Sequence, residues 1–509
     1  MGRAMVIQPN ALVCVKDASF TYSSAQAAAS WMGHQKDPVH SPALLGLNLT
    51  VEPGKVILLC GPSGCGKSTA LRLINGLAPE FHSGTAEGDI VVAGVDVISQ
   101  GMAAAGGVTT TVFQNPRTQF FTTDVISELA FARENRGDEA ETILADVRQA
   151  LAELGIAHLE NRPLVALSGG QLQRVACAQA IASATPVVLM DEPTSNLSPA
   201  GIGKLAGVIK TLKDRGVALV IAEHRLHFLN GIADEVVLIE HGRTRRRWSG
   251  DEFFALSDEE RRALGLRTLR SVDLPQPHRR HDGQRPSVDA AQARETGVWV
   301  ERLRFSYGKK LVLDLEDLAF PAGQVSAIVG PNGAGKTTLA RVLSGLAKPH
   351  KGSRIFIDSK VANRLARTAS TSFVMQDVGR QLFAETVRQD ITLGSDPQHL
   401  SSKDVDDLLE RFDLADVQDR HPLTLSGGQR QRCAIAAAIA KGARIHIFDE
   451  PTSGVDYRHL RAIAAHLREL AQSGCVVIVI THDAELIDEC ADEVLVLRAV
   501  TTTGGVESR

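Results

Sequence analysis

No run of this sequence is apolar for long enough to cross a bilayer, which takes ~18–20 residues. The strongest candidates, VALVIA (217–222) and VVIVI (476–480), have the length of buried strands. The opening MGRAMVIQPN lacks the apolar core of a secretory signal, and Val6 breaks a myristoylation motif. A cytosolic chain is expected, and any work on a membrane needs spans from another chain. Basic excess is missing too. The 55 Lys+Arg against 59 Asp+Glu leave a formal net charge of −4, so broad nucleic-acid binding is not expected. The 7 cysteines form no CxxC pair, which argues against zinc or iron–sulfur centres and fits a reducing compartment. Aromatics are only 4%, but a hydrophobic content of 44% is enough for globular cores.

What is present comes twice. GPSGCGKST occupies 61–69 and GPNGAGKTT 330–338. LSGGQ stands at 167–171 and 425–429, an offset of 425 − 167 = 258. VVLMDEPTS (187–195) matches IHIFDEPTS (445–453) at that offset, and so does His224 in VIAEHRL with His482 in VITHDAEL. Lys67 and Lys336 differ by 269, so the first copy is eleven residues longer between lysine and LSGGQ. Ordered landmarks keeping step mark a duplication, and 509 residues suit two domains of ordinary size.

The runs VILLC (56–60), VVLM (187–190) and ALVIA (218–222), then VSAIV (325–329), IHIF (445–448) and VVIVI, read as strands apolar on both faces. That pattern suits parallel sheets covered by helices, so the fold class is α/β, twice. Leu144, Val147, Leu151 and Leu154 recur at three- and four-residue steps and predict one face of a helix. Composition places a first domain at 1–248, a linker at 249–297 and a second domain at 298–509. The linker opens with a charged helical piece (DEFFALSDEERRALG) and passes into PQPHRRHDGQRPS, a solvated stretch. Residues 23–42 have no counterpart in the second copy and read as a loop insertion. RTRRR (243–247) reads as a solvated strand end. Cys65 reads as a small tolerated side chain, with the sharper expectation that alkylating it blocks the first glycine loop.

GxxxxGK[ST] between a strand and a helix is a phosphate cradle. Gly61, Pro62, Ser63, Gly64, Cys65, Gly66 and Thr69, and Gly330, Pro331, Asn332, Gly333, Ala334, Gly335 and Thr338, form the two turns. Their backbone N–H groups face the β- and γ-phosphates, helped by the helix N-terminus. Lys67 and Lys336 neutralise phosphate charge, while Ser68 and Thr337 offer a hydroxyl to Mg²⁺. Asp191 and Asp449 end apolar strands, where a carboxylate reaches the metal through water. Glu192 and Glu450 follow directly and are placed to polarise an attacking water. His224 and His482, one strand on, are placed to contact the γ-phosphate and hold that water. ATP and Mg²⁺ are the ligands expected. LSGGQ makes a second anion site at a helix start, from Ser168, Gly169, Gly170 and Gln171 and from Ser426, Gly427, Gly428 and Gln429. The glycine loop already serves its own half's phosphates. The economical arrangement has the halves sandwich two ATP molecules, each loop facing the opposite LSGGQ.

This set of motifs resembles the tandem ATP-binding-cassette (ABC) ATPases over roughly 12–248 and 298–498. The resemblance implies two ABC-type nucleotide-binding domains. Each has a P-loop parallel-sheet core, an antiparallel β subdomain and a helical subdomain carrying LSGGQ. It implies that Tyr22 and Tyr307 stack on adenine, and that Gln114 and Gln376 touch Mg²⁺ and sense a membrane partner. Lys67, Asp191, Glu192 and His224 would act with Ser426 and Gly428; Lys336, Asp449, Glu450 and His482 would act with Ser168 and Gly170. Asp456 (SGVD) keeps the family's aspartate after the switch-strand turn, whereas the first half has Ser198 (SNLS). Two hydrolysing sites are expected, and the Ser198 departure bears on the second.

FQNPRTQFFTTDVISELAF (113–131) and MQDVGRQLFAETVRQDITLG (375–394) resemble the ATPases of energy-coupling-factor transporters. INGLAPEFHSGTAEGDI (74–90) and IAEHRL (221–226) resemble the fused tandem form of that group. In it, two ATPase domains drive a transmembrane scaffold and a small vitamin- or metal-binding membrane subunit. The implied place is peripheral, on the inner face of the cell membrane, with membrane subunits docking near the glutamine loops. Phe120, Phe121, Leu382 and Phe383 would line grooves for short helices, or else fill core. The alternatives are the tandem ATPases of sugar or peptide importers, and soluble tandem cassettes acting on ribosomes or DNA. Neither LSGGQ copy is degraded, and the linker is short and broken by proline. No residue here would touch the solute, since its selection lies in other chains.

Overall fold

A computed structural model describes residues 10–23, 42–195, 197, 199–269, 294–395, 400–425 and 427–500. Residues 24–41 of the expected insertion, 270–293 of the expected linker, Ser198 and Ser426 lie outside the described residues. The chain divides into two compact units, Met1–Leu269 and Arg270–Arg509.

In the first unit the strands run, across a six-stranded sheet, Arg243–Ser249, Glu235–Glu240, Val56–Cys60, Ala218–Ala222, Val187–Asp191 and Thr109–Val112. All neighbours are parallel except the first pair. Alternate residues of Val56–Cys60 enter two cores. Ile57 and Leu59 join Val13, Val15 and Phe20 of a four-stranded antiparallel sheet on one side. Val56, Leu58 and Cys60 join the helices Ala140–Glu153 and Gly169–Ala182 on the other. This double burial is why the run carries no polar residue.

The second unit repeats the plan. Thr371–Val374, Ile445–Asp449, Val476–Ile480, Val325–Val329 and Glu493–Val496 form a wholly parallel sheet. Lys310–Pro321, Gly297–Tyr307, Arg354–Ile357 and Lys360–Val361 form its antiparallel companion.

Two expectations shift. The stretch read as linker from 249 packs on the first unit as far as Leu269. Phe253 and Leu266 enter its core beside Trp248, and the Arg261 guanidinium donates to the carbonyls of Phe253 (3.2 Å) and Phe254 (2.9 Å). Two capping boxes, Ser249 with Glu252 and Ser257 with Glu260, start its short helices, so part of what reads as charge is cap. In Ala140–Glu153, Leu144 is exposed rather than buried. Ile143 takes the place beside Val147 and Leu151, because the stripe steps by four before it steps by three.

Candidate nucleotide sites

Each glycine loop leaves an inner strand of its sheet, Val56–Cys60 or Val325–Val329, and runs into a helix that begins at Lys67 or Lys336. That is the carboxyl edge where α/β sheets bind ligands. Gly61 and Gly330 have φ of 140° and 149°, and a Cβ there would stand 2.1 Å from the Ile239 carbonyl oxygen or 2.2 Å from that of Leu497. Only glycine passes. The Lys67 ammonium donates to the carbonyls of Gly61 and Pro62, both at 2.9 Å, and Lys336 to those of Gly330 (2.7 Å) and Pro331 (3.1 Å). Both ammonium groups are thus folded over the loop, where phosphate oxygens can exchange with the carbonyls.

Behind each loop a hydroxyl meets a strand-end carboxylate: Ser68 donates to Asp191 at 2.9 Å and Thr337 to Asp449 at 2.7 Å. Burial pushes Asp191 up to about 6, with the charge of Glu192 adding to it. Burial raises Asp449 and lowers Lys336 as well. A buried carboxylate beside a hydroxyl is a set of hard oxygen donors. It fits Mg²⁺, which takes one or two protein oxygens and fills its sphere with water and phosphate.

Glu192 and Glu450 sit at left-handed φ of 45° and 52°, a conformation that costs on the order of 1 kcal/mol. Their N–H groups, donating to Ala222 and Ile480 carbonyls at 2.8 Å, hold them there. In the first unit Gln114 donates to Glu192 at 2.8 Å, and His224 Nε2 lies 3.5 Å from the same carboxylate. Burial pushes Glu192 up to about 7, against the pull of Lys67, the Gln114 amide, Arg267 and Arg225. In the second unit His482 Nε2 is 3.9 Å from Glu450, and Gln376 is exposed. The glutamine expected to touch Mg²⁺ is therefore a partner of the glutamate in the first unit.

Ser168 caps the helix Gly169–Ala182 in a capping box with Gln171, and Gly427 opens the helix Gly427–Ala440. Both LSGGQ copies thus stand at helix N-termini, each described within its own unit. Tyr22 meets Phe20 edge-on at 4.7 Å, and its hydroxyl is held by Arg72 and Thr69, each at 3.0 Å. Tyr307 is 50% exposed, beside Phe305 at 4.9 Å. The paired doublets split. Phe120 packs against core and Leu382 is buried, while Phe121 and Phe383 are 79% and 74% exposed. Sequence reading passed over Arg72, and over Glu223 and Asp483, the acids flanking the two histidines. A carboxylate beside His224 and His482 in both copies was the available signal.

Cys65 is buried where the second loop has Ala334, with its sulfur 3.8 Å from Lys67 Nζ. Burial raises its thiol, so alkylation at pH 7.5 should be slow. Once achieved, it should abolish ATP binding at the first loop. Mass spectrometry showing complete labelling with unchanged ATP affinity would remove Cys65 from the cradle.

Fold and loops together define a tandem P-loop ATPase. The ABC transporter family model matches residues 44–195 and 313–453. A Treponema denticola protein named as a candidate ABC transporter ATP-binding protein is 38% identical over 89% of this chain and 91% of its own. A candidate HMP/thiamine import ATP-binding protein, YkoD of Bacillus subtilis, is 30% identical over 90% and 87%. Among solved structures, a ribosome-bound archaeal Pelota and ABCE1 assembly contains a chain similar at a TM-score of 0.62. It is 26% identical over 89% of this chain and 74% of that one. The chain belongs to the ABC transporter family, as an ATP-hydrolysing protein with two ATP-binding domains that works with Mg²⁺.

Proposed function

We propose that this chain powers an uptake transporter of the energy-coupling-factor type, carrying a vitamin or metal ion, from the inner face of the membrane. Two ATP molecules, each held by one unit's glycine loop and the other unit's LSGGQ, draw the units together, and hydrolysis releases them. A ligand shifts such an equilibrium only by its differential affinity for the closed state, and a phosphate gripped from both sides supplies that difference. Ser68, Thr337, Asp191 and Asp449 hold Mg²⁺, which screens phosphate charge. Glu192 and Glu450 accept the proton of the attacking water, and His224 and His482 orient it. Lys67 and Lys336 bind the phosphates, and Tyr22 and Tyr307 support adenine.

The observation that carries the transport reading is the repeated exposed phenylalanine. In each unit a buried acid of the following helix orders the loop that presents it. Glu128 accepts from Phe121 N (2.9 Å) and Thr122 N (2.8 Å), and Asp390 accepts from Phe383 N (2.9 Å) and Ala384 N (3.1 Å). Among the described residues, the second oxygen of each acid is buried without a hydrogen-bond partner. Duplicated apolar knobs on internally braced loops suit a pair of short helices with apolar faces. No helix among the described residues is long and apolar enough to cross a membrane; in this reading partner subunits supply the spans.

The test changes Phe121 and Phe383 to serine together. Both side chains are mostly in water, so the fold and basal ATPase should persist, while co-purification of membrane subunits in detergent falls several-fold. Undiminished co-purification sinks the docking assignment. Ribosomes recovered in place of hydrophobic subunits would favour the kind of partner that the ABCE1 assembly's name describes.

A further inference from the structure

We infer that Glu223 and Asp483 are equivalent positioning residues, each latching its histidine turn to the strand end that carries the glutamate. The inference rests on the roles proposed above for His224 and His482.

The two turns differ in sequence, Glu-His-Arg at 223–225 and Thr-His-Asp at 481–483, so the acid lies before one histidine and after the other. Both acids nevertheless reach the same landmark. Thr194 Oγ1 donates to Glu223 at 2.7 Å, and Thr452 Oγ1 donates to Asp483 at 2.7 Å. Thr194 and Thr452 are the matching residues of the two DEPTS segments, each two positions after its glutamate and 1% exposed. Glu223 and Asp483 are themselves 2% and 6% exposed.

Chain length explains the exchange. Glu223 has an extra methylene and reaches forward; its other oxygen accepts from the backbone of His224 (2.7 Å) and Arg225 (3.0 Å), closing the turn around the histidine. Asp483 is shorter and comes from the far side of the histidine, and its own N–H donates to Thr481 Oγ1 at 3.0 Å. Two local sequences converge on one charge-assisted hydrogen bond between the histidine turn and the DEPTS strand end. Short bonds of this kind are about twice as strong as neutral ones. Neither acid needs to touch nucleotide to act. It fixes where the imidazole stands relative to Glu192 or Glu450.

The test uses the full chain, with steady-state ATPase and a thermal melt. Glu223→Gln, Thr194→Val and the double variant should each lower kcat to about half or less, as expected when one of two sites stops. KM for ATP and the melting temperature should stay near wild type. The double variant should be no worse than the poorer single, because both remove one bond. Glu223→Thr with Arg225→Asp, which writes the second unit's turn into the first, should restore kcat where Glu223→Thr alone does not. Unchanged kcat in the single variants, losses that multiply, or a swap without rescue would each overturn the latch. A melting temperature that falls in step with kcat would make the acids packing residues and overturn it too. His224→Ala separates the premises. Full activity there defeats the histidine role itself, whereas an impaired His224→Ala beside an active Glu223→Gln defeats only the latch.

Discussion

Replacing Glu192 with glutamine should slow turnover at the first site by ~10²–10⁴-fold, the range for removal of a general base. The substitution keeps the side chain's size and its neighbours Gln114 and His224, so ATP affinity should hardly change. What it removes is the proton acceptor proposed above. Burial holds Glu192 near 7, well above an ordinary carboxylate. A base is most effective when its pKa lies near the working pH, and the left-handed backbone at φ 45° fixes where that base points. Glu450→Gln should act likewise at the second site. Measured as phosphate release at saturating ATP, each single variant should retain about half the wild-type rate or less, and the pair nothing above background. A smaller residual rate in either single variant means that the sites fire in concert. One single variant at the full rate and the other at zero would mean that only one site hydrolyses. Glu192→Gln and Glu450→Gln both at the full rate would remove the glutamates from the chemistry.

Most of this architecture was legible because duplication supplied an internal control. Six apolar runs read from the sequence are strands in the structure, and four of them end within one residue of a loop, acid or histidine that the sequence marks. The glycine loops, strand-end acids and LSGGQ helices lie where spacing puts them, since each depends on local backbone geometry. What escaped depends on contacts between distant segments. Nothing in DEFFALSDEERRALG, or in the Leu266 that follows it, announces that Phe253 and Leu266 will find the first core, because amphipathic character in so short a piece is masked by its caps. The splitting of the Phe120–Phe121 and Leu382–Phe383 doublets follows from burial of Glu128 and Asp390 under the loop, which hydropathy does not register. Arg72 holding Tyr22, and Thr194 meeting Glu223 across 29 positions, are pairings that no local period encodes.

His446 offers the sharpest contrast between the units, and changing it to valine should stabilise the second one in acid. It lies within Ile445–Asp449, flanked by Ser372 and Val477 on the adjoining strands, and is 1% exposed. The first unit has Val188 at the matching position, fully buried. Neither ring nitrogen of His446 has a hydrogen-bond partner within ordinary geometry among the described residues, although the nearby Ala443 backbone favours the charged ring. Burial pushes the imidazole down to about 4 from an ordinary 6.5, and nearby Lys441 adds to that. Above pH 6.5 the ring is neutral folded or unfolded, and the full stability is present. Between 6.5 and about 4 the unfolded chain takes up a proton that the folded strand refuses, so stability falls as pH falls. The loss totals roughly 3 kcal/mol by linkage. Asp191 and Glu192 have the opposite slope in the nucleotide-free first unit. Their raised values favour the fold below pH 4, and this contribution fades as pH rises through about 6 and 7. The measurement is urea unfolding at pH 7.5 and 5, followed by Trp299 fluorescence with the other two tryptophans changed to phenylalanine. Trp299 stacks on Phe356 at 4.9 Å within the second unit and so reports that unit. His446→Val should flatten the acid dependence of the Trp299 transition, and a slope as steep as the parent's would place the titrating group elsewhere.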